Sequence, residues 1–339
     1  MKIISFILFL FFMISCSSVR DDFTLVDLSK STVLQSPESI LEFDDKYPVS
    51  IKIADSLLFV IYVKADTCID VFNIYTKQKI KSLGAVGHGD NDLINPNFIL
   101  STDNDKVLLD DGSLKRILEI EYKADSIQLK KYIPYPDPIF ISSETNFSKN
   151  YIVGRKVDAV DGKMFFTYNR TTNEIMEIKC FPELEVPIFD YNYAFASTIA
   201  FNERQNRVIV GMYFIDMVHI YDLFGKRIHT FKFSEKSIPN VNKNTKMFDL
   251  ENGYSGFIRC FPTEKHCYLL RITTDPNKEE SEKMLIQMDW NGNLINSYQF
   301  KDNVSGQFHI DENAHKIYII RNRWDANKGE MFDIISYNL

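Results

Sequence analysis

The stretch Met217-Val-His-Ile-Tyr-Asp-Leu-Phe-Gly-Lys-Arg-Ile-His-Thr-Phe-Lys-Phe233 decides the fold. Polar and apolar residues alternate on both sides of its centre, and a period of two is typical of β-strands. At the centre, Gly225 can adopt the positive φ that a tight turn requires. The stretch therefore predicts a β-hairpin.

Similar hairpins recur along the chain. The clearest second copy is Ile286–Phe300, in which Asp289 and Gly292 match Asp222 and Gly225. The residues equivalent to Tyr221 in the six copies are Phe72, Ile120, Tyr168, Tyr221, Met288 and Ile335. Their spacing of 47 to 67 residues, with one all-β unit per copy, is typical of the blades of a β-propeller.

The repeat predicts an all-β fold, a single six-bladed β-propeller with four-stranded antiparallel blades over residues 23–339. The last copy stops at Leu339 without a final strand, and Phe23–Leu28 is a spare alternating segment. We therefore expect the ring to be closed by this N-terminal strand, which would cover an open sheet edge. A β-sandwich with regularly spaced hairpins is the alternative, because only two copies carry the Asp-x-x-Gly turn.

Composition is consistent with an all-β chain and argues against nucleic-acid binding. Aromatic residues make up 14% of the sequence, with 27 Phe and 17 Tyr. The net charge is −7, and Lys and Arg are dispersed rather than clustered. The six histidines show no metal-ligand spacing and no catalytic motif is present, so neither a metal, a cofactor nor catalytic residues are expected.

The N-terminus resembles a bacterial lipoprotein signal. Lys2 precedes an apolar stretch that is too short to span a membrane in the mature protein. It ends in Met13-Ile-Ser-Cys16, which resembles a lipobox. We expect a signal peptide over 1–15, lipidation of Cys16 and a linker over 16–22, hence an outer-membrane lipoprotein at the cell surface or periplasmic face. An ordinary signal peptide with a chance cysteine is the alternative.

A glycine-rich loop follows the first blade. In the run Gly84-x-x-Gly-x-Gly-Asp-Asn-Asp92, the side chains of His88, Asp90 and Asp92 could bind a ligand. A long inter-blade connection that needs unusual φ values is the alternative. Together with the lipobox and the repeats, this run resembles the TolB-like and NHL-like six-bladed propellers common among lipoproteins of Bacteroidota. The resemblance implies the architecture and leaves the activity open.

A second candidate site lies in the sixth copy, at Arg321-Asn-Arg-Trp-Asp325. We expect Trp324 to lie in a polar loop, where it could form a platform with Arg321 and Arg323 for a sugar ring or a peptide. Alternatively, Trp324 anchors the loop against a neighbouring blade.

Two cysteines could form a disulfide bond. A turn over 262–265 would place Cys260 directly opposite Cys267, close to the upper limit of the distance that a disulfide spans. Export would permit the oxidation. Two buried thiols are the alternative.

The sequence thus favours a lipid-anchored, non-catalytic module that binds a glycan, a peptide or a membrane-associated protein partner. The alternative is a hydrolase or lyase whose site lies at a mouth of the central channel. A histidine with a carboxylate at that mouth would favour the enzyme, whereas a mixed-charge rim would favour the binding module.

Overall fold

The computed structural model describes residues 23–102, 106–123, 126–134, 144–156, 163–180, 190–278 and 280–339. The predicted signal peptide, Cys16 and the linker lie outside these residues. Across the described ranges, no helix is long and apolar enough to cross a membrane.

Six sheets follow one another along the chain, and the blade strands within each sheet are antiparallel. Three short strands come first: β1 (Phe23–Leu25), β2 (Thr32–Val33) and β3 (Glu38–Phe43). Blade 1 contains β4 (Tyr47–Ala54), β5 (Leu57–Val63), β6 (Thr67–Asn73) and β7 (Lys79–Ala85). Blade 2 contains β8 (Pro96–Phe98), β9 (Val107–Asp111), β10 (Arg116–Lys123) and β11 (Ser126–Pro134). Blade 3 contains β12 (Asn146–Phe147), β13 (Tyr151–Arg155), β14 (Lys163–Asn169) and β15 (Glu174–Lys179).

The second half continues the pattern after a short helix, α1 (Tyr191–Ala194). Blade 4 contains β16 (Ser197–Asn202), β17 (Arg207–Met212), β18 (Met217–Tyr221) and β19 (Arg227–Lys232). Blade 5 contains β20 (Ser255–Pro262), β21 (His266–Thr273), β22 (Glu282–Asp289) and β23 (Leu294–Gln299). Blade 6 contains β24 (Val304–Asp311), β25 (Lys316–Asp325) and β26 (Gly329–Asn338). Each residue equivalent to Tyr221 lies in the third strand of its blade, which confirms the predicted repeat.

The first strands of the blades form a ring. Neighbouring first strands contact one another in the order β12, β16, β20, β24, β4 and β8, and a bridge between Leu100 and Asn146 joins blades 2 and 3. This arrangement surrounds a central channel and confirms the predicted six-bladed propeller.

The N-terminal segment closes the ring, but with a different strand from the predicted one. Strand β3 (Glu38–Phe43) pairs antiparallel with β26 as the fourth strand of blade 6. The predicted Phe23–Leu28 segment instead contributes β1, which pairs parallel with β19 as a fifth strand of blade 4. Burial explains the difference, because Ile40 and Phe43 are buried in blade 6 whereas Phe23 and Leu25 stay about half exposed.

Apolar side chains fill the spaces between adjacent blades. Between blades 4 and 5, the ring of Phe233 packs edge-on against that of Phe257, with centroids 5.0 Å apart. Burying such a side chain completely stabilises the fold by roughly 1.5–3 kcal/mol. The alternation within each strand thus provides two apolar faces per blade.

The hairpin turns explain why the Asp-x-x-Gly pattern appears only twice. Asp222 Oδ1 accepts hydrogen bonds from the backbone N–H groups of Phe224 and Lys226, and Gly225 has φ +76°. In blade 3 the same role falls to Asn169, whose Oδ1 accepts from two backbone N–H groups, with Asn173 at φ +61°. Asn can replace both Asp and Gly in such a turn, because its side chain mimics a backbone carbonyl and it tolerates positive φ.

Candidate functional site

The lower mouth of the channel, the end at which the first and second strands of each blade are joined, contains a pocket of about 780 Å³. Its wall comes from five blades. It includes Asp55 of blade 1, Thr102 of blade 2, Arg204 of blade 4, His266 of blade 5 and Glu312 of blade 6. The volume lies within the usual range for a ligand-binding cleft.

A hydrogen-bonded histidine and carboxylate lie in this wall. His266 Nδ1 is 2.6 Å from Glu312 Oε1, and the Tyr268 hydroxyl donates to the same oxygen at 3.2 Å. His266 and Tyr268 are two residues apart on β21 and therefore point to the same face of the sheet. Glu312 lies in the turn between β24 and β25, so the pair joins blades 5 and 6. Burial, and then the Glu312 charge, raise the pKa of Tyr268.

The rim of the pocket carries both signs of charge. Arg204 of blade 4 and Glu264 of blade 5 form an ion pair with 2.6 Å between nitrogen and oxygen. Both side chains are about two-thirds exposed, so solvent weakens the pair and a ligand could separate its members at little cost.

The floor is formed by inner strands. His309 on β24 lines the pocket, although 96% of its surface is buried. Its ring meets the Phe261 ring edge-on at 5.1 Å. Lys52 is buried and is not among the described residues that line the pocket; its Nζ lies 5.9 Å from the centroid of the Phe261 ring. Burial lowers the pKa of Lys52 to about 8. Burial, and then the Lys52 charge, hold the pKa of His309 well below its ordinary value.

A buried polar cluster lies nearer the opposite, upper mouth. Glu144 accepts hydrogen bonds from the Thr198 and Tyr213 hydroxyls at 3.0 and 3.1 Å, and Arg259 Nη1 lies 3.7 Å from its carboxylate. These partners come from blades 4 and 5, while Glu144 immediately precedes blade 3. The cluster therefore connects three blades, and it accounts for the buried charge of Glu144.

The glycine-rich loop lies between blades 1 and 2, where it largely stabilises itself. Asp92 Oδ2 accepts a hydrogen bond from the Gly89 N–H at 2.8 Å. Arg116 donates to the backbone carbonyls of Gly89, Asp90 and Asp92. The side chains of His88 and Asp90 are exposed. Asp92 thus holds the loop conformation, and ligand binding by His88, Asp90 and Asp92 stays a prediction.

The Arg321 to Trp324 candidate lies on a strand, not in the predicted polar loop. Trp324 belongs to β25, pairs with Glu330 of β26 and is 79% exposed. The alternative of a loop anchor is therefore wrong, because the indole does not pack against a neighbouring blade. Arg321 and Arg323 both contact the buried carboxylate of Asp333, at 2.5 and 2.9 Å. Their ion pairs stabilise blade 6, and the binding platform stays a prediction.

The two predicted groups do not contribute to the pocket. None of His88, Asp90, Asp92, Arg321, Arg323 and Trp324 is among the described residues that line it. Nor does the described part of the chain contain a group of three or more His, Cys, Asp or Glu residues placed to hold a metal ion.

Cys260 and Cys267 are both fully buried and carry free thiols. The predicted register is wrong, because Cys260 lies opposite Leu269 and Cys267 opposite Pro262. The turn begins one residue later than expected, since Thr263 closes it through hydrogen bonds with the backbone of His266. Cys260 and Cys267 are therefore diagonal neighbours on one face. Burial, and then Cys260, raise the pKa of the Cys267 thiol.

Comparisons with known proteins identify the fold and no more. The chain matches no protein-family model and no curated protein. It is similar to a member of the DUF4221 family from Bacteroides vulgatus, with TM-score 0.54 and 14% identity over 90% of this chain and 99% of that one. It is also similar to a protein from Bacteroides fragilis assigned as exported, with TM-score 0.51 and 13% identity over 93% of both chains. At these identities the likeness shows a shared propeller architecture.

Proposed function

We propose that this protein is an exported, lipid-anchored binding module whose ligand enters the pocket at the lower mouth. One observation carries the proposal: loops from five blades converge on a single pocket of about 780 Å³. A glycan, a peptide or a segment of a membrane-associated partner protein could fill a space of this size.

The character of the wall supports a polar ligand. The rim pair of Arg204 and Glu264 offers a donor and an acceptor to solvent, and His266, Glu312 and Tyr268 add further polar atoms deeper in the wall. Hydroxyl groups of a sugar or amide groups of a peptide can replace the water around such side chains.

Export and anchoring rest on the N-terminal sequence and on the likeness to the exported protein from Bacteroides fragilis. Metabolic labelling with a palmitate analogue tests the anchor. We expect the wild-type protein to incorporate the label and to fractionate with membranes, and Cys16→Ser to do neither. Labelling of Cys16→Ser would refute lipidation at that residue.

The binding function can be tested by screening the purified mature protein against glycan and peptide libraries. The double variant His266→Ala with Glu312→Ala should lose at least about tenfold in affinity for any ligand found, as is typical when central contacts are removed. The matched control is Lys278→Ala with Glu282→Ala, which removes an exposed ion pair between the β21–β22 connection and the first residue of β22, at the other end of blade 5. Equal affinity in both double variants would contradict the proposal.

The His266–Glu312 pair favours a second candidate function, a hydrolase or lyase. A carboxylate that accepts from Nδ1 orients an imidazole so that Nε2 can act as a general base toward a bound substrate. Ester and polysaccharide substrates can be screened with wild-type protein and with Glu312→Gln. An enzyme should lose roughly 10²-fold or more of its activity in this variant. Turnover that Glu312→Gln leaves intact would exclude this pair as the catalytic site.

A further inference from the structure

We propose that the outer edge of blade 4 docks on the surface of an anionic lipid bilayer. The docking surface, called the blade 4 patch, consists of Phe23 and Leu25 of β1, Phe224 of the turn before β19, and Ile228 of β19. The inference rests on the proposed lipid anchor at Cys16. It adds a second contact with the membrane and an orientation of the propeller.

The blade 4 patch is apolar and open to solvent. Its four side chains are between 43% and 66% exposed. Strand β1 pairs with β19 so that Phe23 lies beside Thr230. Residues of β19 that face blade 5, such as Phe231, are buried there, whereas Phe23, Leu25 and Ile228 lie on the opposite face. Neighbouring exposed apolar side chains of this kind mark a contact with a partner or a membrane.

Exposure alone does not distinguish blade 4 from blade 1. Blade 1 exposes Tyr75 and Ile80 at the positions equivalent to Phe224 and Ile228. In the described part of the chain, however, the sheet of blade 1 ends at β7, whereas blade 4 carries β1 as a fifth strand. Only blade 4 therefore extends this apolar surface with an N-terminal strand.

The proposed anchor joins the fold at the same place. Cys16 lies seven residues before Phe23, and a chain of this length spans at most about 25 Å. A lipidated Cys16 would therefore hold the blade 4 patch close to the bilayer. Blade 1 lies on the opposite side of the ring, three blades away. The bilayer is thus the surface that the blade 4 patch meets first.

Basic side chains accompany the blade 4 patch. Lys226 and Arg227 are exposed where β19 begins, and Lys232 Nζ lies 3.7 Å from the centroid of the Phe23 ring. The carboxylate of Asp222 accepts hydrogen bonds from backbone N–H groups of its own turn. Apolar side chains can enter the headgroup region of a bilayer while Lys and Arg extend to anionic headgroups. The patch and its basic neighbours therefore fit an anionic bilayer surface.

Docking through the outer edge of one blade would lay the propeller on its side. The channel would then run along the membrane surface, and both of its mouths would remain open to water. The pocket at the lower mouth would stay accessible to a ligand.

The first experiment measures which side of the ring contacts lipid. The mature chain is coupled through the Cys16 thiol to phosphatidylcholine and phosphatidylglycerol vesicles that carry a maleimide lipid; the other four cysteines are buried. The reporter is Phe224→Trp, or Tyr75→Trp at the equivalent position of blade 1, in a Trp324→Phe background. Trp290 is buried and contributes equally to both. We expect brominated lipids to quench the reporter at 224 and not at 75, because interfacial side chains reach roughly 5–10 Å into the boundary between headgroups and acyl chains.

Equal quenching at both positions, or at neither, would overturn the proposal. Chemical coupling replaces the acyl anchor, so the result does not depend on whether cells lipidate Cys16. Metabolic labelling of wild type and Cys16→Ser tests lipidation separately.

The second experiment separates apolar docking from nearness to the tether. The reporter is now Leu25→Trp in the same Trp324→Phe background, and the blade 4 patch is weakened by Phe224→Ser with Ile228→Ser. Loss of these two side chains should shift the equilibrium from the docked to the free propeller by roughly tenfold or more, so that most of the quenching disappears.

The matched control is Tyr75→Ser with Ile80→Ser, which removes the equivalent side chains of blade 1 and should leave the quenching unchanged. Quenching that survives in Phe224→Ser with Ile228→Ser would show that the tether alone holds this side near the lipid, and it would contradict docking through the blade 4 patch.

Discussion

At the scale of single residues, the glycine turns show that a local sequence pattern predicts backbone conformation but not contacts with neighbouring blades. Gly225 and Gly292 were expected to adopt positive φ, and their φ values of +76° and +93° confirm this. The sequence did not reveal that both also touch a neighbouring structure. A Cβ on Gly225 would lie 2.7 Å from Ile178 of blade 3. Such contacts depend on blade packing, which a hairpin pattern does not encode.

Replacement of Gly292 by alanine should be more destabilising than positive φ alone explains. The added Cβ would overlap the ring of Phe231 in blade 4. Gly329→Ala is the matched control, because it has φ +83° and nothing within 4 Å of the added atom. We expect a loss of roughly 1–2 kcal/mol at Gly329 from the left-handed backbone, and a larger loss at Gly292. Equal losses in the free energy of unfolding of the two variants, measured by urea denaturation, would contradict this prediction.

Asp110 should make stability depend on pH. Burial, and then the neighbouring Asp111 charge, raise its pKa from 3.8 to about 7. Between those pH values the folded state holds a proton that the unfolded state has released, so this contribution to stability is complete below pH 4 and is lost as the pH rises through 7. Asp110→Asn mimics the protonated form. It should stabilise the protein by a few kcal/mol at pH 8, at about 1.4 kcal/mol per pKa unit, and change little at pH 4.

Urea denaturation of Asp110→Asn and wild type at pH 4 and pH 8 measures this difference directly. His309 has the opposite effect on stability. Because its pKa in the folded state lies below the ordinary value of 6.5, the protein loses stability as the pH falls below 6.5. This effect is the same in wild type and Asp110→Asn, so it cancels in the difference between their free energies of unfolding. A difference in free energy of unfolding that is the same at both pH values would contradict the raised pKa of Asp110.

At the scale of strands, the alternation of polar and apolar residues predicted the strands of each blade correctly. It did not predict which N-terminal strand pairs with the edge of blade 6. The third strands lie where the repeat placed them, because buried alternating residues leave little freedom of register. Both Phe23–Leu28 and Glu38–Phe43 alternate, so the pattern could not decide which closes the ring. The polar neighbours of Trp324 predict a loop, yet β25 and β26 extend as a hairpin beyond the core and include Trp324.

The N-terminal strands should differ sharply in their effect on stability. Deletion of 23–33 removes β1 and β2, whose side chains are largely exposed, and should lower the melting temperature only modestly. Deletion of 23–43 also removes β3, which exposes the edge of β26 and the apolar cluster around Ile40 and Phe43. This longer deletion should abolish cooperative unfolding in a thermal melt. A similar melting temperature for both deletions would contradict closure by β3.

At the scale of the whole molecule, no local sequence motif could predict the pocket. His266 and Glu312 lie 46 residues apart, His266 directly after the first turn of blade 5 and Glu312 in the equivalent turn of blade 6, and no local sequence pattern joins them. The repeat could have predicted which turns form the pocket, because equivalent turns of all blades must meet at one mouth of the channel. The glycine-rich loop and the Arg321 to Trp324 segment are unusual in composition, and Asp92 and Arg321 make contacts that stabilise the loop and blade 6. Ligand binding by these two segments stays a prediction.

The central claim is that the ligand enters at the lower mouth, and photo-cross-linking in the native cells tests it most directly. A photoreactive residue replaces Glu264, which is exposed on the pocket rim, or Lys278, at the other end of blade 5. We predict a specific cross-linked product from position 264 that disappears in the background of His266→Ala with Glu312→Ala, and no such product from position 278. A product formed from position 278 alone would place the binding surface at the upper mouth and contradict the account.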